Sequence, residues 1–311
     1  MNSYAATPHN YSKKEPSFLL TRTHVNIPGA VCYNIMILPM KTTITKISKE
    51  DDQYQTIETL QRNRTKRLQA REFFVEGVRE ITMALQYKWV INALVYSRDK
   101  RLSDWAEEII ARSSARTHYI MPLHLLKKIS QKEDTSELIA LVAMPEDNLS
   151  RIPEREHLLV VILDRPSNPG NLGTIIRSCD ALRVDGVMIT GHSVDLYDPE
   201  TIRASTGSFF SIPVIRLPSH KMLIPWFEGL KGRLGKLQVV GTSAKAEVPV
   251  YKYDFKLPTV LVIGNESHGL SENIRALCDV MVTIPMYGSA SSLNVASATS
   301  ILLYEVARQR G

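Results

Sequence analysis

Cysteine is scarce in this 311-residue chain: only Cys32, Cys179 and Cys278 occur, far apart and without a CxxC or CxxH pairing. That spacing argues against a disulfide scaffold and a zinc finger, and it predicts a reducing compartment, the cytoplasm. No stretch reaches the roughly 18 consecutive apolar residues that a membrane-crossing helix needs, so no membrane span is expected. The apolar patch from Ala30 to Met40 follows Lys13 and Lys14, but Asn34 interrupts it and no small-residue cleavage site follows; no signal peptide is expected. Also missing are a GxGxxG dinucleotide loop, a GxxxxGK[ST] phosphate loop, an HExxH helix and any cluster of metal ligands. These absences count against hydride transfer, phosphoryl transfer from ATP and zinc hydrolysis, and no metal is expected.

What is present begins with charge. Lys and Arg number 38 against 32 Asp and Glu, a net +6, with a pI near 9.1. Residues 61–130 hold 14 Lys and Arg against 7 Asp and Glu, so this one segment supplies the whole surplus. A basic stretch ahead of a near-neutral remainder fits contact with a polyanion, and solubility alone would explain it equally well.

The chain divides by pattern. Residues 1–55 carry turn formers and little periodicity, which predicts a poorly structured extension, and the more ordinary MKTTITKISKEDD suggests translation from Met40. Residues 56–145 read as a small α/β unit. Within REFFVEGVREITMALQ, the spacing of Phe74, Val78, Ile81 and Leu85 predicts one helix. INALVYS and ELIALVAM read as strands, with WAEEIIARS a helix between them. The polar run at 146–157 is a plausible linker. From 158 to 311 near-continuous apolar strands alternate with helices: LLVVIL, GVMIT, IPVIRL, LQVVGT, TVLVIG and VMVTIP. Strands apolar on both faces belong to a parallel sheet covered by helices, a doubly wound α/β domain whose ligands bind beyond the strands' carboxyl ends.

Three strand-ending loops could carry chemistry. The first runs from Asp164 through NPGNLGTIIR to Arg177, with Asn171 placed to cap the following helix; Arg177 either meets a ligand or pairs with Asp180 on the surface. Gly173 would let a backbone or a ligand come close. The second, GNESHGL, follows TVLVI; Glu266 is placed to accept hydrogen bonds from a partner or from its own loop. His268 would be a general base only with a fixed partner, and a single loop histidine is more often incidental. The third, IPMYGSASSLNVASA, runs into a last helix rich in small residues, where Ser292 and Asn294 could act as caps and nothing more. No GxSxG elbow accompanies them.

Together these loops resemble the three motifs of the SpoU-type (TrmH-like) RNA ribose 2′-O-methyltransferases of the SPOUT superfamily, in the family's order and each after the expected strand. The likeness spans the second half, and REFFVEGVREITMAL is similar, more loosely, to part of the small L30e-like substrate-binding domain that precedes many such catalytic domains. The resemblance implies an α/β fold whose C-terminal segment is threaded as a deep trefoil knot. It also implies S-adenosylmethionine bound in the knot, and a homodimer acting on RNA. It places Thr242, Gly264, Ile284 and Leu293 at the cofactor, helped by the loop at Gly241, and Asn171, Arg177, Glu266, Ser292 and Asn294 in the active site.

Family analogy makes Arg177 the base. A guanidinium with a pKa above about 12 is better suited to hold a phosphate or a developing alkoxide. Glu266 and Asn294 then orient the loops and Arg177. Arg62, Arg64, Lys66, Arg67 and Arg71 would neutralise RNA phosphates, unless they form a solvated helix face. The separate N-terminal domain favours ribosomal over transfer RNA by analogy. The alternatives are a non-catalytic RNA-binding or ribosome-assembly factor that kept the fold, and a base methyltransferase of the same superfamily.

Overall fold

The computed structural model describes residues 42–311. The Met40 start and the first 41 residues of the expected extension lie outside them. The first half builds β1 (Thr43–Lys46), helices α1 (Asp52–Arg62) and α2 (Arg64–Ala70), β2 (Glu72–Glu76), α3 (Val78–Gln86), β3 (Ile91–Tyr96), α4 (Asp104–Arg112), β4 (Thr117–Ile120), α5 (Leu123–Ile129) and β5 (Leu138–Ala143). The sheet order is β1-β4-β3-β5-β2. Strand β5 runs antiparallel to both its neighbours, and the other pairs are parallel.

Two expectations are corrected here. The single helix over REFFVEGVREITMALQ is instead strand β2 followed by α3. Phe73 and Phe74 are buried on opposite faces of the sheet, so no two-residue alternation showed, and Gly77 at φ 125° makes the break. The structured part also begins before residue 56. Strand β1 pairs in register with β4, and α1 starts at Asp52, capped by the Asp51 carboxylate, which accepts from the Gln53 and Tyr54 amides.

The second half adds β6 (Leu159–Asp164), α6 (Pro169–Ala181), β7 (Gly186–Thr190), α7 (Pro199–Ala204), β8 (Val214–Leu217), α8 (Leu223–Leu234), β9 (Gln238–Thr242), β10 (Val248–Pro249), β11 (Thr259–Ile263), α9 (Glu272–Arg275), β12 (Val280–Thr283) and α10 (Val295–Arg310). All seven strands are parallel, in the order β10-β12-β9-β11-β6-β7-β8. Successive residues of β6 serve two cores: Leu159, Val161 and Leu163 face one, Val160 and Ile162 the other. This is the physical reason the run LLVVIL shows no polar alternation.

The first of those cores is continuous with the small sheet. Phe73 lies 4.8 Å, ring to ring, from Tyr197, and Trp89 donates its indole N–H to the Phe210 carbonyl at 3.0 Å. The linker is itself anchored: Asp147 pairs with Arg216 at 2.7 Å, and Ile152 is buried where Gly186 leaves room for it. Helix α10 ends by closing the opposite rim. Arg310 donates to the carbonyls of Phe255, Leu257 and His157 at the amino ends of β6 and β11.

Candidate active site

Helix α6 fixes the first loop. Its N-cap is Asn168, whose Oδ1 accepts from the Asn171 amide at 2.8 Å, with Pro169 in the first turn. Asn171 therefore does not cap this helix, as the sequence suggested. It sits one turn inside, and its side chain is free to point outward. Gly173 is buried, and a Cβ there would run into the Thr201 carbonyl and Ala204, so this glycine permits the α6–α7 crossing. Arg177 is exposed further along α6 and forms no ion pair with Asp180.

The second loop leaves β11 and folds back on itself through an Asn265–Gly269 bridge. Gly264 is required by that closure, since a Cβ would strike the Gly269 and Leu270 backbone. At the tip, Glu266 accepts from Ser167 Oγ at 2.7 Å and from Asn171 Nδ2 at 3.3 Å. Burial pushes the Glu266 carboxyl up, but hydrogen bonds from its own backbone amide, Ser167 and Asn171 outweigh it and hold the group below the usual carboxylate range. His268 is exposed and turned into its own loop, with Nδ1 3.2 Å from Asn265 Oδ1, an arrangement that supplies no catalytic partner.

Asn294 closes the set. Its Oδ1 caps α10 by accepting from the Ala296 and Ser297 amides, while its Nδ2 donates to Asn171 Oδ1 at 3.1 Å. Glu266, Asn171 and Asn294, which lie up to 123 residues apart in the chain, thus form one hydrogen-bonded series across three loops.

Beside the series lies a cavity of about 490 Å³, within the range of roughly 300–1,000 Å³ typical of small-molecule sites. Thr242, Gly264, Ile284 and Leu293 all line it, and so do Glu266 and Ser292. Thr242 is held by donating to the Val262 carbonyl at 3.0 Å. Met286 and Leu302 extend the apolar wall, and Lys245 and Arg275 lie at its polar part. Among the described residues no group of three or more His, Cys, Asp or Glu is placed to hold a metal, and no helix is long and apolar enough to cross a membrane. Ser167 and Asn265 bond to site residues, a role the sequence did not reveal. Both stood within the quoted loops, but hydroxyl and amide side chains are so common in turns that nothing marked them.

The basic residues divide. Arg62 is largely exposed beside Glu58, Lys66 is exposed, and Arg64 is exposed while donating to the Ser193 carbonyl at 2.8 Å. Arg67 corrects the expectation of a phosphate contact. It is 2% exposed and donates to Asp195 Oδ2 at 2.6 and 3.0 Å and to the carbonyls of Leu60 and Gln61. Arg71 takes a left-handed backbone at φ 57° and donates to the Pro145 carbonyl at 3.1 Å, tying the end of α2 to the segment that follows β5.

Comparison with known proteins agrees with this arrangement. The SpoU rRNA Methylase family model matches residues 158–304, and the SpoU L30e-like domain matches residues 51–140. A 23S rRNA (uridine(2479)-2′-O)-methyltransferase of Streptomyces viridochromogenes is 44% identical over 267 residues, covering 85% of this chain and 92% of that one. The 23S rRNA (guanosine(2553)-2′-O)-methyltransferase RlmP of Bacillus subtilis is 28% identical, covering 77% and 90%. The crystal structure of the SpoU methyltransferase AviRb from Streptomyces viridochromogenes with the cofactor AdoMet superposes with a TM-score of 0.77 at 44% identity, over 84% of this chain and 99% of that one. With both domains matched in order and a relative 44% identical over most of both chains, the chain belongs to the SpoU rRNA methylase family.

Proposed function

We propose that this chain transfers a methyl group from S-adenosylmethionine to a ribose 2′-OH of ribosomal RNA. The observation that carries the reading is the Glu266–Asn171–Asn294 series set against a cavity lined by Thr242, Gly264, Ile284 and Leu293. The cavity suits the cofactor: apolar side chains offer a surface for a base, and the backbone of the 264–270 loop offers polar groups. When bound, the cofactor supplies an electrophilic methyl on a sulfonium. The nucleophile is a poorly acidic hydroxyl, so positioning is the protein's main contribution. Glu266, kept ionised, fixes the orientation of Asn171, and Asn171 in turn fixes Asn294. Ser292 contributes a hydroxyl to the cavity wall. Arg177, exposed on α6, is the donor that steadies a phosphate or the developing alkoxide.

Arg62, Arg64 and Lys66 are the RNA-phosphate contacts in this reading; they position structured RNA without reading its sequence. The exposure of the apolar residues Ile301 and Tyr304 on α10 supports a homodimer, in which a second copy of the chain would cover them. The strand order, with β12 between β9 and β10 and α10 returning against α6 through Ser178 and Ser300, supports threading of the C-terminal segment as a knot. A ribosomal RNA substrate supports a cytoplasmic enzyme, since the reaction needs the two in one compartment.

The test is mass spectrometry of RNase-digested ribosomal and transfer RNA from cells with and without the gene. Loss of a single 2′-O-methyl nucleotide from ribosomal RNA is expected. Loss of a base methylation, or of none, overturns the proposal.

A further inference from the structure

The cofactor-side loop is gripped from below by two residues that the active-site series does not include. Asp164 ends β6 with its side chain 3% exposed. A carboxylate so deeply placed is costly unless every lone pair is used, and here it draws in donors from three loops. Oδ1 accepts from Thr190 Oγ1 at the end of β7, at 3.2 Å. Oδ2 accepts from the Ser271 amide at 2.7 Å and from the Arg165 guanidinium at 3.3 Å. The next residue, Arg165, takes a left-handed backbone at φ 57°, a conformation costly for a non-glycine residue and persistent only where the surroundings impose it. Gly191 leaves the space its stem occupies. In that conformation Arg165 meets both ends of the neighbouring loop. Its carbonyl accepts from Asn265 Nδ2 at 2.8 Å, and its Nη2 donates to the Gly269 carbonyl at 3.1 Å.

The segment so held, Gly264 to Leu270, lines the cavity along its entire length. The grip is separate from the tip contacts of Glu266 with Ser167 and Asn171. We infer that Asp164 and Arg165 are positioning residues for cofactor binding: they fix the 264–270 loop so that its backbone meets the methyl donor. The inference rests on the proposed S-adenosylmethionine-dependent reaction. Removing the grip leaves the catalytic side chains intact and lets the loop sample other shapes, so cofactor affinity falls before the rate constant does.

Arg165→Gly is the informative variant, because glycine keeps the left-handed backbone and its carbonyl contact with Asn265 while removing the side chain that reaches Asp164 and Gly269. Expected are a KM for S-adenosylmethionine raised about tenfold, as for lost orienting partners elsewhere, with kcat and RNA affinity near wild type and a lowered melting temperature, since Asp164 loses its charged partner. Arg165→Lys, whose ammonium still reaches a carbonyl, recovers part of the affinity. Asp164→Asn goes in the same direction with a further loss of stability. Hydrogen–deuterium exchange on the cofactor-free protein reads the loop directly, and amides of residues 264–271 exchange faster in Arg165→Gly. Exchange there equal to wild type, or kcat and RNA binding falling together with an unchanged cofactor KM, overturns the inference. Failure of the wild-type protein to bind S-adenosylmethionine overturns the proposed function instead, and the exchange measurement still decides whether Arg165 holds the loop.

Discussion

The carboxyl edge of the seven-stranded sheet and the basic segment at α1–α2 use polar side chains in opposite ways. At the sheet edge, Glu266, Asn171 and Asn294 remain accessible to solvent and are fixed by one another across three loops. In the basic segment, the residue most firmly fixed is the one withdrawn from solvent: Arg67 joins Asp195 in the interior where α2 meets the catalytic half, while Arg62 and Lys66 stay on the surface. A hydrogen-bonded network that faces a cavity can act on a ligand. An ion pair buried between two domains can only hold them. Both regions are built from polar side chains, and within the basic segment burial separates the residue that holds the domains together from those left on the surface.

The largest effect that would test this contrast is on stability. Arg67→Ala leaves Asp195 buried without its partner and is expected to cost about 3–5 kcal/mol, read by urea unfolding. Arg62→Ala, at an exposed pair, is expected to stay within about 0.5 kcal/mol. Equal losses in the two variants would erase the distinction. Next, Arg177→Ala is expected to lower kcat by about 10²–10³, the loss seen when a transition-state donor is removed, with the fold intact by circular dichroism. Near-normal turnover would remove Arg177 from the site.

A smaller change is expected from replacing Arg62, Arg64 and Lys66 together by alanine. The slope of log K for RNA against log salt should flatten by about 2–3, roughly 0.7–0.9 for each phosphate no longer neutralised, while the unfolding midpoint holds. An unchanged slope would return these residues to a plain solvated face. The smallest expected effect concerns Glu266. Its folded-state pKa lies below the ordinary value, so its stabilising contribution is complete above the usual carboxylate range and is lost as pH falls through the lowered value. The melting difference between wild type and Glu266→Gln should therefore be present at neutral pH and close on acidification. A difference that widens in acid would mean the carboxylate is not held by Ser167 and Asn171.

Much of the fold could be read from local pattern. The strands of the second half appeared as apolar runs within a residue or two of β6, β7, β9 and β11, because burial on both faces leaves an uninterrupted signature. Strands β1 and β4 left no such mark. TITK and THYI are four residues each and partly exposed, and their pairing is a long-range event that neither sequence announces. β2 was hidden by coincidence, since Phe74 stands four residues before Val78 and so continues the helical spacing of α3 backwards.

The site divides along the same line. The order of residues alone dictates which groups are available: the carboxylate, amides and guanidinium in three loops, and the glycines that let those loops turn. Their identity and order were enough to show the family likeness. Which of them meet is settled by the packing of distant segments. Asn171 reaches Glu266 and Asn294 because the parallel sheet brings the ends of β6 and β11 side by side and returns α10 against α6. Arg67 lies in the interior and not on the basic surface because α2 packs where Asp195 is buried. A side chain's charge is local and visible in the sequence, whereas its solvation and its partners are set by contacts between residues a hundred or more positions apart.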